Sequence, residues 1–599
     1  MKPKRFLLDL LISLIISLLL NIALSWIALP SYKLLSHDFL TFPPFWSGTL
    51  ILFLLFNVFF FLKRSWYLTI SFFLFVLIGC FGYANSIKME KRSDPIVPND
   101  IYLLKESWAM SKQYVSTRQI LYFVIAFILF LVAAFFIIRK KWKPSAPIGY
   151  RLLISAICIA SIFALGSVRE DKVWNKLGVS NKITMPAQNL SDNGFVMGNF
   201  LQLTAMYQQK PEGYAKSTVE KTINKYEKNS ESNYASTKSI DVTKPNLIVL
   251  QLEAFFDPTT LPNVTFSEDP IPFYHSLQQR YTNGKLGVNV FGAGTANTEF
   301  EVLTSMSLQL FPYETHPFTS HVIQPMDSVV YRLKDYGYKS SGLHNNVGWF
   351  YKRTTAWPNL GIDYMEFSDK MFEDKNVESV YDVPAVPKDY VLFDNIIKRT
   401  KKTKGLDYVL GITMETHGPY TKWYDHDIKV TSDTVPKRST DIIEEYAFKM
   451  RELDKALERL MNYYENSDEP TMIVMYGDHL PWLGDDKMVY YDTGYGDDSQ
   501  TTENRAKMYA TPFLIWDNYR NKEKEEFNLG STFLMPYVLK EIGVKGNGLQ
   551  SFLQEQMSKG IIQLPPEADQ KQEGWTTDTI KQYRYMQYYY LNEPSAVKK

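Results

Sequence analysis

Three short stretches of this sequence place reactive side chains where chemistry is easiest to do. Asp478 and His479 stand side by side after the apolar run Thr471–Met475, separated from it by Tyr476 and Gly477. A carboxylate and an imidazole released from a buried strand by a glycine form an oxygen and nitrogen donor pair of the kind divalent metals take. The same two residues also suit a helix N-cap followed by a surface histidine. Glu253 comes directly after the mostly apolar Leu247–Leu252, placed either for a cation or for a cap at a strand end. In Phe291-Gly292-Ala293-Gly294-Thr295-Ala296-Asn297-Thr298-Glu299-Phe300 a glycine-rich turn precedes a helical pattern. Backbone N–H groups and the positive end of a helix dipole meet an anion in such a turn. Thr295 is then either a hydroxyl whose alkoxide is stabilised into a usable nucleophile or an ordinary threonine N-cap.

Two more segments add polar groups suited to a phosphoryl ligand. His344-Asn345-Asn346 precedes Trp349-Phe350-Tyr351-Lys352-Arg353, which combines a guanidinium with aromatic rings. Thr416-His417-Gly418-Pro419-Tyr420 follows the apolar run Tyr408–Ile412. The chain has 8 histidines, and three of them fall in these motifs, which favours a site over scattered structural roles. His37, His275, His316, His321 and His426 lack such settings and read as surface or packing residues.

The elements that position these residues belong to one half of the chain. Short apolar runs at Leu247–Leu252, Leu286–Val290, Tyr408–Ile412, Thr471–Met475 and Pro512–Ile515 alternate with helical patterns such as Ile442–Tyr464. That alternation predicts an α/β domain with a largely parallel sheet over residues 244–550, whose ligands lie beyond the carboxyl ends of the strands. The other half is apolar. A bilayer core needs about 20 apolar residues per helix, and five stretches in residues 1–170 qualify: Phe6–Leu29, Trp46–Leu62, Trp66–Tyr83, Ile120–Ile138 and Leu152–Val168. The basic clusters at Lys2–Arg5, Lys63–Arg64 and Arg139–Lys143 mark the cytoplasmic ends, so an odd number of spans places the following domain outside. The first stretch reads as a retained anchor, being longer than a signal-peptide core and lacking a small-residue cleavage site. Residues 171–243 read as a polar linker region, with one possible short helix in the stretch from Pro211 to Asn246, and 551–599 as a C-terminal tail in which Tyr583–Tyr590 forms a packing helix.

The motifs LEAFFD, GAGTANTEF, HNNVGWFYKR, THGPY and YGDHLP, in this order behind five spans, resemble the lipoteichoic acid synthase family. These are membrane phosphoglycerol transferases of the alkaline phosphatase and sulfatase-like superfamily. The resemblance implies an N-terminal five-helix transmembrane domain and an exported α/β domain of the alkaline phosphatase/sulfatase type, in a multi-pass protein of a bacterial cell membrane. It implies Thr295 as nucleophile and Glu253, Thr295, Asp478 and His479 as ligands of one divalent ion, commonly Mn²⁺, with Mg²⁺ or Zn²⁺ as alternatives. His344, Arg353 and His417 fall where the family binds phosphate or glycerol. Asn346 and Tyr351 stand at two pocket positions where family members often carry Asp and Trp. The implied donor is phosphatidylglycerol, and the implied acceptor is a glycolipid anchor or a growing polyglycerolphosphate chain. A phosphoethanolamine transferase and a metal-dependent phosphodiesterase are the rival enzymes of that superfamily, and a degenerate envelope-binding module is the rival without chemistry.

Composition narrows the field further. With Lys+Arg 65 against Asp+Glu 64 in 599 residues, no global field draws the protein to nucleic acid. The two cysteines, Cys80 and Cys158, both lie in apolar runs, which excludes a disulfide scaffold, a cysteine zinc site and a CxxC redox centre. It also disfavours the phosphoethanolamine transferases, whose exported domains typically carry several disulfides. No formylglycine motif, P-loop or dinucleotide fingerprint occurs, so neither sulfatase chemistry nor a nucleotide is expected. Aromatic residues at 15% suit membrane interfaces.

Overall fold

The structure, a computed structural model, describes residues 4–27, 41–92, 95–103, 117–140, 142, 146–168, 171–180, 186–205, 210–237, 244–312, 315–372, 381–382, 386–403, 405–421, 425–497, 499, 501–566, 569–571 and 573–593. They form two compact units, Met1–Gln208 with Pro312–Thr315, and Gln209–Phe311 with His316–Lys599.

The first unit is helical: α1 (Lys4–Ile27), α2 (Pro43–Asn57), α3 (Arg64–Arg92), α4 (Thr117–Arg139), α5 (Ile148–Gly166) and α6 (Pro186–Ala205). Among the described residues four helical stretches are long and apolar enough to cross a membrane: Phe6–Ile27, Pro43–Phe61, Arg64–Glu90 and Ile148–Gly166. The fifth expected span, Ile120–Ile138, lies within α4, where the described apolar stretch is the shorter Phe130–Arg139. One face of α1 departs from an ordinary lipid-facing helix. Asp9, Ser13, Ser17, Asn21 and Ser25 recur every four residues and are all buried, which at 3.6 residues per turn lines them along one stripe. Their partners explain the burial. Asn21 Nδ2 donates to Phe45 O and Thr49 Oγ1 at 2.8 and 3.0 Å, Ser13 Oγ accepts from Asn57 Nδ2 at 2.8 Å, and Asp9 pairs with Arg64 at 2.5 Å. Polar groups in an apolar interior must find such partners, so α1 is keyed in register to α2 and α3. Near the end of α3, Lys88 pairs with Asp100 of the following loop at 3.1 Å, while Lys105 and Lys112 lie outside the described residues.

The second unit opens with α7 (Lys216–Thr237), a helix of 22 residues and so longer than the short one its polar sequence suggests. Its few apolar residues explain both facts. Val219, Ile223 and Tyr226 fall on one face and are buried, with Tyr226 edge-on to Phe552 at 5.3 Å. An eight-stranded sheet follows, built from β1 (Asn246–Leu252), β2 (Thr282–Gly287), β3 (Lys339–His344), β4 (Tyr364–Phe367), β5 (Asp407–Ile412), β6 (Thr471–Gly477), β7 (Ala510–Asp517) and β8 (Leu529–Gly530) in the order β8-β2-β7-β6-β1-β5-β3-β4. Only β7 runs antiparallel to its neighbours. The expected strand at Leu286–Val290 begins earlier, because β2 follows the register of β7, with Thr282 opposite Ile515 and Gly287 opposite Ala510.

Both faces of the central strands are buried, which is why they read as continuous apolar runs. On one face Ile248, Leu250, Val409, Ile473 and Met475 pack against α10 (Asp389–Lys402) and α11 (Lys437–Glu465). Ile443, Tyr446, Met450, Leu453, Leu457, Leu460 and Tyr464 supply the helical three-and-four spacing that holds α11 there. Each such fully buried side chain contributes about 1.5–3 kcal/mol relative to exposure, so α11 anchors the sheet firmly. Parallel register then aligns the carboxyl ends. Leu252 pairs with Gly477, Gln251 with Ile412's neighbourhood through the β1–β5 ladder, and His344 with Ile412. The residues that follow these ends share one edge of the sheet.

Candidate active site

Glu253 is the first residue after β1, and its backbone is tied down before its carboxylate is aimed. Its N–H donates to Thr413 Oγ1 at 2.8 Å, and its carbonyl accepts from the Thr416 hydroxyl. Next to it in the sheet, β6 ends at Gly477. A Cβ there would lie 2.4 Å from Phe255 O, so only glycine lets the chain after β1 pass this close. Asp478 follows, and its Oδ1 accepts two backbone N–H groups, from Ala254 and His479, both at 2.8 Å. His479 Nδ1 lies 2.9 Å from Leu480 O. A carbonyl only accepts, so Nδ1 carries the proton and Nε2 presents its lone pair.

The nucleophile candidate arrives from the β2 side. Gly294, at φ 91°, is the N-cap of α8 (Thr295–Thr304), and Thr295 is its first helical residue. An L side chain is strained at that φ, which is why the turn before Thr295 ends in glycine. The Thr295 hydroxyl caps nothing. It donates to Glu253 Oε2 at 3.1 Å, while Thr295 O accepts from Gln251 Nε2 at 3.0 Å. The helix is braced from behind by α12 (Thr577–Asn592), where Tyr583 OH donates to Ser305 O at 2.7 Å and Gln587 Oε1 accepts from Ser307 N at 2.8 Å.

Glu253, Asp478 and His479 are all buried and offer ligand atoms within 4.8 Å of one another. Their fit to a cation is tested by what they lack. Asp478 Oδ2 and His479 Nε2 are buried without a hydrogen bond. Nε2 is 3.5 Å from that oxygen and 3.7 Å from Glu253 Oε1. Burial, reinforced by the nearby Asp478 charge, raises the Glu253 carboxyl well above the usual range. Unpaired acceptors gathered in a dry pocket are costly unless a cation joins them. Two carboxylates, an imidazole and a hydroxyl are a donor set that divalent ions accept, so the residues fit a metal.

The expected phosphate residues lie on the same edge. His344, at the end of β3, has Nδ1 3.0 Å from Ile412 O. Burial first, and then the Arg353 charge, hold its pKa well below the ordinary value, so it is neutral. His417 Nδ1 donates to Gly418 O at 2.6 Å, and burial likewise lowers its pKa. Tyr351 and Lys352 both adopt φ 54°, a left-handed turn that delivers Arg353 to the start of α9 (Arg353–Asn359). The guanidinium carbon lies 5.5 Å from the Tyr351 ring centroid. Asn346 is turned to its own loop, with Oδ1 accepting from Val347 N at 2.7 Å and Nδ2 3.4 Å from the Met414 sulfur.

Sequence reasoning missed Glu299. It is fully buried, accepts from Arg353 Nε at 3.1 Å, and accepts a short hydrogen bond from Trp357 Nε1. Its position four residues after Thr295 on a helical pattern was the available signal. Of the other histidines, His275 bridges Asp257 and Asp269, His426 pairs with Glu445 in the interior, and His37 lies outside the described residues.

Comparison with known proteins agrees with this architecture. The profile of the family described as Sulfatase matches residues 245–544. A Rhizobium meliloti (strain 1021) protein named for cyclic beta-1,2-glucan modification is 26% identical over 487 residues, 79% of this chain and 73% of its own length. RkpI of the same organism, a capsular polysaccharide biosynthesis protein, is 26% identical over 247 residues, 40% of this chain and 42% of its own. The solved Streptococcus pyogenes phosphoglycerol transferase GacH, in complex with sn-glycerol-1-phosphate, superposes with a TM-score of 0.52 at 21% identity, covering 64% of this chain and 94% of that one. At that identity the likeness speaks for the fold.

Proposed function

The chain belongs to the sulfatase family, and on that premise we propose that it is a metal-dependent membrane phosphoglycerol transferase with its second unit on the extracytoplasmic side. The observation that carries this reading is the Thr295 hydroxyl directed at Glu253, beside two buried acceptors, Asp478 Oδ2 and His479 Nε2, that make no hydrogen bond. Glu253, Asp478, His479 and Thr295 would hold one divalent ion, with Mn²⁺ as the first choice and Mg²⁺ or Zn²⁺ as alternatives. Bound there, it would lower the pKa of the threonine hydroxyl and offset charge on the phosphoryl oxygens.

The residues of the chain do the rest. Glu253 accepts the Thr295 hydrogen bond and so turns an Oγ lone pair away from itself, toward the pocket. Thr295 Oγ attacks the phosphorus of phosphatidylglycerol, forming an Oγ–P bond while the bond to the diacylglycerol oxygen breaks. Diacylglycerol leaves with a proton and stays in the membrane. Arg353 and the neutral His344 and His417 hold the phosphoryl oxygens and the glycerol. An acceptor hydroxyl then attacks phosphorus while the Oγ–P bond breaks, its proton passing to Thr295 Oγ, which completes transfer to a glycolipid anchor or a growing polyglycerolphosphate chain and restores the threonine. Helices long enough to cross a membrane fit a donor and a leaving group that are both lipids.

A second reading concerns the acceptor. The Rhizobium meliloti relative named for cyclic beta-1,2-glucan modification matches 79% of the chain, which favours a glucan hydroxyl in that role. Among the rivals, the phosphoethanolamine transferase reading is disfavoured by the cysteines, since Cys80 and Cys158 both lie in apolar helices of the first unit. The test is incubation of the full-length protein with fluorescent phosphatidylglycerol and Mn²⁺, with a glucan, a glycolipid or no acceptor. Diacylglycerol release with a phosphoglycerol product on one acceptor is the expected result. Equal hydrolysis to free glycerol phosphate under all three conditions would make it a phosphodiesterase, and no release would refute the donor.

A further inference from the structure

We infer that Glu299 is a positioning residue that holds the phosphate-binding edge of Arg353 at a set distance from Thr295. The inference rests on the reading above that the pocket receives a phosphoryl group.

Thr295 and Glu299 lie four residues apart on α8, about 6 Å along the axis and on one face. The first points at the candidate metal cluster and the second at the guanidinium. Both Glu299 oxygens are committed. Oε2 accepts from Arg353 Nε at 3.1 Å, and Arg353 Nη2 lies 3.0 Å from the same oxygen without hydrogen-bonding geometry. Oε1 accepts from Trp357 Nε1. The indole cannot turn away, because it stacks on Phe367 at 5.2 Å and 18°. Its other boundary is Gly342 of β3, where a Cβ would come within 2.6 Å of the ring. The carboxylate is therefore fixed from two sides, and it fixes the guanidinium in turn.

What remains of Arg353 is informative. The residue is 1% exposed, yet among the described residues only Nε donates a hydrogen bond. A guanidinium has five donors, and buried donors left unpaired are costly. A buried ion pair is in itself a weak source of stability, since apolar residues of similar volume often do as well. A pair that leaves most donors of its cation unused is explained by a ligand that uses them. With the Nε side taken by Glu299, an anion meets the Nη atoms. The helix then acts as a ruler, setting nucleophile and phosphate-binding edge at one spacing.

The test is a double-mutant cycle on the full-length protein in detergent, read by direct binding of inorganic phosphate and of glycerol phosphate, and separately of Mn²⁺. Glu299→Gln should weaken phosphate binding about tenfold or more while Mn²⁺ binding stays unchanged. In the Arg353→Ala background the same change should add nothing, because the residue acts through Arg353. Arg353→Ala alone leaves a buried carboxylate unpaired, so if it fails to fold, Trp357→Phe replaces it. That variant frees Oε1 and should weaken phosphate binding when Glu299 is present but add nothing in the Glu299→Gln background. Equal losses in both backgrounds, a parallel loss of Mn²⁺ binding, or no phosphate binding by the wild type would overturn the inference. Coupled phosphate binding without any preference for glycerol phosphate would leave it standing and overturn the headgroup reading instead.

Discussion

Replacing Thr295 separates a covalent nucleophile from a buried structural hydroxyl, because the two roles differ by orders of magnitude in the same assay. The structural role is bounded by what the side chain touches. Gly294, not Thr295, is the N-cap of α8, and the hydroxyl makes one hydrogen bond, to Glu253 at 3.1 Å. A hydrogen bond to a charged group is worth about 1.5–3 kcal/mol, against a total stability on the order of 5–15 kcal/mol. Thr295→Ala thus stays folded, and a purely structural threonine would lose almost no activity on its removal. A missing nucleophile instead costs roughly a thousandfold or more, which is about 4 kcal/mol of barrier. The measurements are diacylglycerol release from fluorescent phosphatidylglycerol, a thermal melt, and intact mass after exposure to donor without acceptor. Thr295→Ala should melt near the wild type, turn over at background and carry no adduct. Thr295→Ser should keep part of the activity, and the wild type should carry glycerol phosphate on the peptide that contains Thr295. Normal turnover by Thr295→Ala, or an adduct on another residue, would refute the mechanism while leaving the family membership untouched.

The metal prediction is that chelator abolishes turnover, that Mn²⁺ or a similar ion restores it, and that His479→Ala binds metal far more weakly, since one of about four ligands is gone; full occupancy in both His479→Ala and Asp478→Ala would remove the site. For pH, His275 sits between Asp257 and Asp269 at 3.1 and 2.7 Å, and its pKa is raised to about 9, chiefly by its hydrogen bond to Asp257. A folded pKa above the unfolded value of about 6.5 gives stability that is complete below that value and lost as pH climbs through about 9. Denaturant midpoints should accordingly fall between pH 6.5 and 9.5, and His275→Gln should flatten that decline; an unchanged slope would show the pair to be silent. For topology, in a background without Cys80 and Cys158, the exposed Lys225→Cys should react with an impermeant maleimide on whole cells and Arg139→Cys should not, and the reverse labelling would invert the orientation.

The residues gathered at the candidate metal cluster were the legible part of this sequence, for a physical reason. Buried parallel strands must be apolar along their length, so Glu253 after β1 and Asp478 after β6 stand out where the chain emerges. β3 was invisible because Lys339-Ser340-Ser341-Gly342-Leu343-His344 is polar. Its hydroxyls are satisfied in the fold, with Ser340 donating to Gly361 O at 2.9 Å and Ser341 accepting from Arg399 Nε at 2.8 Å. Such long-range partners leave no local pattern. The same limit hid the commitment of Arg353. The segment Trp349–Arg353 reads as a phosphate-binding guanidinium among aromatic rings, whereas Glu299, which takes its Nε, is 54 positions away. The length of α7 was obscured because Val219, Ile223 and Tyr226, all in its first half, give a weak periodic signal until their burial is seen.

Counting charge at the edge of the sheet ties these pieces together. Glu253, Asp478 and Glu299 are buried carboxylates, Arg353 is the cation hydrogen-bonded among them, and His344 and His417 are held neutral by burial. Even with the buried Lys449, whose Nζ donates to His417 O at 3.0 Å, carboxylates outnumber cations here, in surroundings where unbalanced charge is expensive. Burial and then the neighbouring Asp478 charge raise the Glu253 carboxyl well above the usual carboxylate range. A divalent ion bound there would offset that unbalanced charge. The balanced site would then meet a phosphodiester, which carries a single negative charge, with the Nη side of Arg353 as its opposite. Glu299 matters to this balance as much as to geometry. In the proposed reaction Glu299 offsets part of the Arg353 charge, and by sharing α8 with Thr295 it sets the Nη side of the guanidinium at a fixed spacing from the proposed nucleophile.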